Sequence, residues 1–248
     1  MMNIWGLTDI GLVRKENQDA YEVRSSAESG HTVCVVCDGM GGPKGGRLAG
    51  KLAVKVFMDS CLANLAAGMS EEQVREVAAF SVSAANRVIH ERAEEESGLR
   101  GMGTTLVSAI IWDDRALLTN VGDSRGYLIR SDAEDRGLRR ITRDHSVVEQ
   151  LVERGDITPE EARRHPDRNL ITRAIGPDES VESDSYSVAL RSGDFLLLCT
   201  DGLVDTTTDR EIEREVLQDH SGSLNRLLEI AKLRGAADNI TAVLMQQL

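Results

Sequence analysis

Val33-Cys34-Val35-Val36-Cys37-Asp38-Gly39-Met40-Gly41-Gly42 runs an unbroken apolar stretch into an acid and a glycine cluster. A Val-rich run of that length predicts a strand buried on both faces and aims its end at a carboxylate. Residues 195–200 repeat the pattern into Asp201-Gly202, and residues 117–121 repeat it into Gly122-Asp123-Ser124. A further acid, Asp238, stands just before the closing apolar run at 240–245. Strand ends that each deliver an exposed carboxylate can gather in space what the sequence scatters, and gathered carboxylates repel unless a cation neutralises them. The pattern predicts a metal site.

Outward from that stretch, residues 4–9 and 19–24 read as strands, and 181–189, 194–200 and 240–247 as later ones. Leu48, Leu52, Val56 and Phe57 recur at helical spacing, which predicts a helix to about residue 66. Ser70 followed by Gln73 has the form of a capping box and opens a second helix over 71–96. Short β-rich runs fill 104–111, 115–121, 126–130 and 138–142, with Asp113-Asp114 as a tight turn. Further helices are expected at 209–218 and 223–234. This order does not alternate as a βαβ chain would. It predicts an α+β fold, a four-layer α-β-β-α sandwich of two mainly antiparallel sheets flanked by helices. The charged segment 144–176, with His145, His165 and Pro166, reads as a surface excursion of functional length.

The chain has 248 residues, enough for one large domain or two small ones. Acids recur from Asp9 to Asp238, so the reading is a single domain over 1–248 with a flap at about 144–176. A net charge of -12 disfavours nucleic acid and anionic membrane as partners. The first residues lack a basic, then apolar, secretory signal, and no run reaches the roughly 18 apolar residues of a membrane span. A soluble, cytoplasmic, monomeric protein is expected. Cys34 and Cys37 have C-x-x-C spacing, but on one strand residues three apart face opposite ways, so these and Cys61 and Cys199 read as buried reduced thiols. His31, His90 and His220 read as surface residues.

Carboxylates and backbone carbonyls are hard ligands suited to magnesium, manganese or calcium. Two such ions about 3.5–4 Å apart can bridge and activate a water and hold both oxygens of an in-line phosphoryl displacement. Arg14, just before Asn17-Gln18-Asp19, can supply a bidentate fork to the phosphate. Other phosphate chemistries fail on spacing. No cysteine has an arginine six positions later, and Gly45-Gly46-Arg47-Leu48-Ala49-Gly50-Lys51 departs from a nucleotide P-loop where Leu52 replaces Ser or Thr.

The segments Arg14-Lys15-Glu16-Asn17-Gln18-Asp19, Val36-Cys37-Asp38-Gly39-Met40-Gly41-Gly42, Gly101-Met102-Gly103-Thr104-Thr105, Asn120-Val121-Gly122-Asp123-Ser124-Arg125, His165-Pro166 through Gly176, Asp201-Gly202-Leu203-Val204-Asp205 and Asp238-Asn239-Ile240-Thr241 carry a resemblance that spans almost the whole chain. In that order the chain resembles the metal-dependent serine/threonine protein phosphatases of the protein phosphatase 2C type, above all their bacterial branch. The resemblance implies a β-sandwich with two Mn2+ or Mg2+ ions and a third, weaker one. It makes Asp38, Asp201 and Asp238 direct ligands, Gly39 a carbonyl ligand and Asp19 a ligand directly or through water. Asp123 and Asp205 match the acids of the third site, Arg14 the phosphate clamp, and 144–176 the flap. Met40 stands where eukaryotic relatives carry a histidine proposed as general acid, and Gln18 where they carry a glutamate. Pro43, Lys44 and Arg47 depart from the family's glycine loop and add positive charge near the phosphate's path.

The function these features predict is hydrolysis of phosphoserine and phosphothreonine on proteins by direct attack of a metal-bridging hydroxide, with a serine/threonine kinase as counterpart. Two alternatives stay open: a catalytically weak metal-binding regulatory module of the same fold, and a phosphatase for small phosphoesters or a phosphorylated anti-sigma antagonist.

Overall fold

The computed structural model describes residues 2–132 and 135–248, the side chain of Pro43 aside, so the expected effect of Pro43 lies outside the described residues. One antiparallel sheet has the spatial order β1 (Met2–Asp9), β11 (Ile240–Gln247), β10 (Phe195–Cys199), β7 (Arg125–Arg130), β8 (Gly137–Arg140). The other has the order β2 (Asp19–Ser25), β3 (Thr32–Met40), β5 (Leu106–Trp112), β6 (Arg115–Val121), β9 (Asp184–Ala189), with the short β4 (Gly103–Thr104) against β3. Helices α1 (Gly42–Asn64) and α2 (Glu71–Glu95) cover the second sheet, and α6 (Asp209–Gln218) and α7 (His220–Leu233) cover the first. The four expected layers are present.

The opening stretch shows why both sheets are apolar on both faces. Along β3, Val33, Val35 and Cys37 pack into the core under α1 and α2, while Cys34 and Val36 pack between the sheets against residues such as Leu118, Leu198 and Val243. Each such aliphatic side chain, fully buried, contributes about 1.5–3 kcal/mol relative to exposure. The same alternation separates Cys34 from Cys37, and all four cysteines are free and buried. Burial pushes the thiols of Cys61 and Cys199 up to about 12, so they stay protonated and unreactive.

At the start of α2, the Ser70 side chain accepts from the Gln73 amide and the Gln73 side chain accepts from the Ser70 amide at 2.9 Å, closing the expected capping box. Helix α1 begins at Gly42, so residues 45–51 are helical and offer no phosphate-cradling loop. Between β8 and β9 the flap carries α3 (Val147–Arg154) and α4 (Pro159–Ala162). Its base is fastened by the Ser146–Ile171 bridge and by hydrogen bonds from Val147 N to Leu170 O (2.9 Å) and from Thr172 N to His145 O (2.7 Å).

Three expectations are corrected. β3 does not end at Asp38 but runs to Met40, because Gly39 and Met40 pair with Thr104 and Gly103 of β4. Asp38, Asp123 and Asp201 are half-buried, not exposed. Nor are the three histidines exposed surface groups: His31 is 2% exposed beside Trp112, His90 is half-buried with Nδ1 3.0 Å from Gly176 O, and half-buried His220 lies against Trp5 and Phe195 at ring-centroid distances of 5.1 and 5.4 Å. Among the described residues, no helix is long and apolar enough to cross a membrane.

Candidate metal centre

Antiparallel pairing sets the end of one strand beside the start of its neighbour. Asp19 opens β2 directly opposite Asp38 on β3, so the two carboxylates project from the same face of the sheet. In the other sheet the end of β10 lies beside the start of β11, and α5 (Asp201–Val204) begins where β10 stops. Asp201 and Asp238 therefore share one end of the sandwich. The two sheets meet there through the Thr200 hydroxyl, which donates to Asp19 Oδ2 at 2.9 Å and accepts from Thr241 N at 2.9 Å.

Asp38, Asp201 and Asp238 open on a cleft of about 390 Å³ lined also by Arg14, Lys15, Gln18, Gly39, Met40, Thr105, Asp123, Asn169 and others, whereas Asp19, paired opposite Asp38, borders a different cavity beside Glu22 and Lys51. Asp205 lies outside it, in an adjoining cavity of about 320 Å³ under the flap, where Asp123 and Asp201 also contribute. Arg14 sits at the cleft wall with Nη2 2.6 Å from Asp238 Oδ2. Arg14, Asp38, Gly39, Asp123, Asp201 and Asp238 thus meet at one cleft, Asp123 and Asp201 are shared with the cavity that holds Asp205, and Asp19 reaches the group through its pairing with Asp38.

Tight backbone packing explains the glycines next to two of the acids. A Cβ on Gly39 would run into the Gly46 carbonyl oxygen of α1, and one on Gly202 into that of Asn239. Both glycines let backbone approach backbone where the carboxylates are held.

The electrostatics are those of an uncompensated cluster. Burial, then Asp19 and Asp201, hold the Asp38 carboxyl well above the usual range; burial, then Asp123 and Asp205, do the same for Asp201. Burial raises Asp19 to about 6 against the hydrogen bond from Thr200, and burial with Asp144 raises Asp123 to about 7. Asp19 Oδ1 and Asp201 Oδ1 are buried without a hydrogen-bond partner. Buried, orphaned carboxylate oxygens are costly, and a hard cation is the partner that satisfies them. Among the described residues, no three His, Cys, Asp or Glu side chains form a ready-made cage for one ion. The fit rests instead on donor chemistry, since oxygen-only ligands suit small divalent ions such as magnesium and manganese. The donor set fits such ions.

Several supporting residues carried no predicted role. Thr105 accepts from Asp38 N through its hydroxyl at 2.9 Å and donates its own amide to Asp38 O at 2.9 Å. The Asn239 side chain accepts from Gln18 N at 2.9 Å and donates to Ile10 O and Glu16 O, which fixes the loop before Asp19 beside Asp238. Thr200 and Asn239 each neighbour a candidate ligand, and Thr105 and Asn239 stand in segments that carry the family resemblance, but nothing in the sequence assigns any of the three this role.

A profile described as protein phosphatase 2C matches residues 13–245, nearly the whole fold around this cluster. The chain belongs to the protein phosphatase 2C family. It is 35% identical to the serine/threonine phosphatase stp of Listeria innocua over 97% of this chain and 94% of that protein. The crystal structure of the serine/threonine phosphatase Stp1 from Staphylococcus aureus superposes with a TM-score of 0.90 at 34% identity, covering 100% of this chain and 96% of that one. A structure of the catalytic domain of the phosphatase PstP in complex with two manganese ions gives 0.82 at 34% identity, covering 99% and 97%. In this protein phosphatase 2C chain, the expected two-sheet α+β architecture is the family's own.

Proposed function

We propose that the protein hydrolyses phosphoserine and phosphothreonine on proteins with two divalent ions, manganese or magnesium. The observation that carries this reading is the convergence of Asp38, Asp201 and Asp238 on one cleft, with Asp19 held opposite Asp38 on the neighbouring strand and with one buried oxygen each of Asp19 and Asp201 lacking any partner. Asp38, Asp201 and Asp238, with the Gly39 carbonyl and Asp19, would hold the ions. When bound, these neutralise the cluster and activate the attacking water.

The remaining work falls to the chain. Arg14, exposed at the cleft wall and already aligned on Asp238, presents its guanidinium fork to the phosphate. Thr200, Thr105 and Asn239 hold Asp19, Asp38 and the Gln18 loop in place. Met40 lines the cleft and has no proton to give, and no histidine lines it among the described residues, so the leaving group's proton comes from water or from another group of the cleft. Asp123 and Asp205, meeting in the cavity under the flap, form a third, weaker ion site.

Residues 1–248 act as one catalytic domain, since β1 and β11, from the two ends of the chain, pair along their length. Four free thiols suit a reducing compartment, the cytoplasm, where a serine/threonine kinase generates the substrates and the protein works as a monomer. The complete donor set disfavours a regulatory module without turnover.

The test is an assay of a phosphothreonine peptide and of p-nitrophenyl phosphate with manganese, after EDTA, and after Asp201→Asn. Turnover that needs manganese and is lost on chelation and on substitution is expected; turnover indifferent to both would sink the mechanism. Asp123→Asn should shift the manganese concentration giving half-maximal rate, and an unchanged profile would remove Asp123 from the third site.

A further inference from the structure

The cations of this acidic chain are mostly engaged. Arg24 is held by Glu22 and Asp59, Arg125 by Asp144, Arg226 by Glu215 and Asp219, and Arg234 by Glu211. Others, such as Lys15, Arg87, Arg100 and Arg210, have no acid partner among the described residues, and Lys44, Arg47 and Lys51 are distinguished by sharing one helix. All three are exposed, and among the described residues none makes an ion pair or a side-chain hydrogen bond. They sit on α1, whose first residue, Gly42, lines the phosphate cleft.

Spacings of three and four residues place the three side chains within about 60° of arc on one face, over about 10 Å of helix. The opposite face is the one pressed into the fold, where Gly46 and Gly50 meet the backbone of Gly39 and Gln18. The stripe is thus fixed relative to the cleft. Lys55, the next position along it, is neutralised by Asp59 at 2.6 Å, so the free charge is confined to the end nearest the cleft. The first turn of α1 contains no acid, which leaves the positive end of the helix dipole unopposed on the same side. In a chain of net charge -12, three cations without an ion-pair partner, on the helix that opens at the anion-handling cleft, form a local field of opposite sign to the rest of the molecule, with Lys51 also bordering a cavity that holds Asp19 and Glu22.

Building on the phosphatase reading, we infer that Lys44, Arg47 and Lys51 form a docking face for an acidic segment of the substrate protein, on one side of the phosphorylated residue. The phosphate enters the cleft while carboxylates of the flanking segment lie along α1. Exposed pairs of this kind act on encounter and selectivity more than on the chemical step, so the preference belongs in kcat/KM through KM.

The test uses phosphothreonine peptides alike except for three Asp/Glu or three Ser/Gln residues, placed N-terminal or C-terminal to the phosphothreonine. The manganese-loaded wild type is compared with K44S/R47S/K51S and with K44E/R47E/K51E. For one of the two placements, kcat/KM for the acidic peptide should exceed that for the neutral one by about tenfold at low salt, as three exposed ion pairs allow. The ratio should shrink as ionic strength rises, approach one in the serine variant and fall below one in the glutamate variant. Fluorescence anisotropy of the unphosphorylated acidic peptide reads the docking face without turnover. Binding that the serine variant loses supports the face even if no phosphoester is hydrolysed, an outcome that would instead refute the phosphatase reading. A wild-type ratio of one at both placements, or a preference that survives both variants, overturns the inference.

Discussion

Acids on the outer helices and acids at the strand ends live under opposite rules. On α6 and α7, Glu215 accepts from Arg214 at 2.7 Å and Arg226 at 2.7 Å, and Glu211 accepts from Arg234 at 2.6 Å. The hydrogen bond from Arg226 comes first in holding Glu215 below the usual carboxylate range, and that from Arg234 takes Glu211 down to about 2. At the strand ends, Asp19, Asp38 and Asp201 have mainly one another, and burial pushes all three up. The chain has arginines enough to answer these acids and places them elsewhere. A cluster left unanswered inside a well-packed sandwich serves a cation from outside the chain.

The largest effect expected from this contrast is on Asp201. Asp201→Asn should lower manganese-dependent turnover by more than about a hundredfold, beyond what losing an outer-shell partner of a metal costs. In EDTA the same variant should melt no lower than wild type, because it removes an uncompensated buried charge. A variant that melts much lower without metal would break the contrast. Next comes Arg14→Ala, which removes a charge-assisted contact of about 1.5–3 kcal/mol and should cost roughly ten- to a hundredfold in kcat/KM. A loss confined to the melting temperature would place Arg14 in structure alone, through Asp238.

The pH dependence of stability sharpens the comparison further. Asp19, raised to about 6, and Asp123, raised to about 7, keep protons in the folded state that the unfolded chain releases near 3.8. Their contribution to stability is full below about 3.8 and is lost as pH climbs through 6 to 7. Metal-free protein should therefore melt lower at pH 8 than at pH 5, and saturating manganese, which binds the deprotonated ligands, should flatten or reverse that slope. An EDTA profile that rises with pH would contradict the reading. The smallest effect is Glu215→Ala: a loss of about 1–3 kcal/mol of stability with turnover per folded molecule unchanged, read by denaturant unfolding beside the manganese assay.

Much of this was legible from residue order. The Val-rich run before Asp38, the box at Ser70 and Gln73, and the spacing of Leu48, Leu52 and Val56 report local periodicity and capping, which the structure reproduces within a few residues. The extension of β3 past Asp38 was not legible, because Gly39 and Met40 gain strand geometry from partners more than 60 residues away, Thr104 and Gly103. Nor was the burial of His31, or the role of Thr200 as the bridge between the sheets, since each depends on a neighbour from a distant segment.

By itself, the sequence determined the layers and the chemistry available to them: alternating apolar strands make two-faced sheets, and oxygen donors without histidine or thiolate select hard cations. Only the tertiary structure decided that the starts of β2 and β11 and the ends of β3 and β10 fall at one end of the sandwich. It also decided which acids find an arginine and which cations, Lys44, Arg47 and Lys51 among them, find no acid. The physical reason is range. Periodicity and capping act over a few residues, whereas burial and charge pairing are fixed only when segments hundreds of residues apart, such as Arg14 and Asp238, come within 2.6 Å.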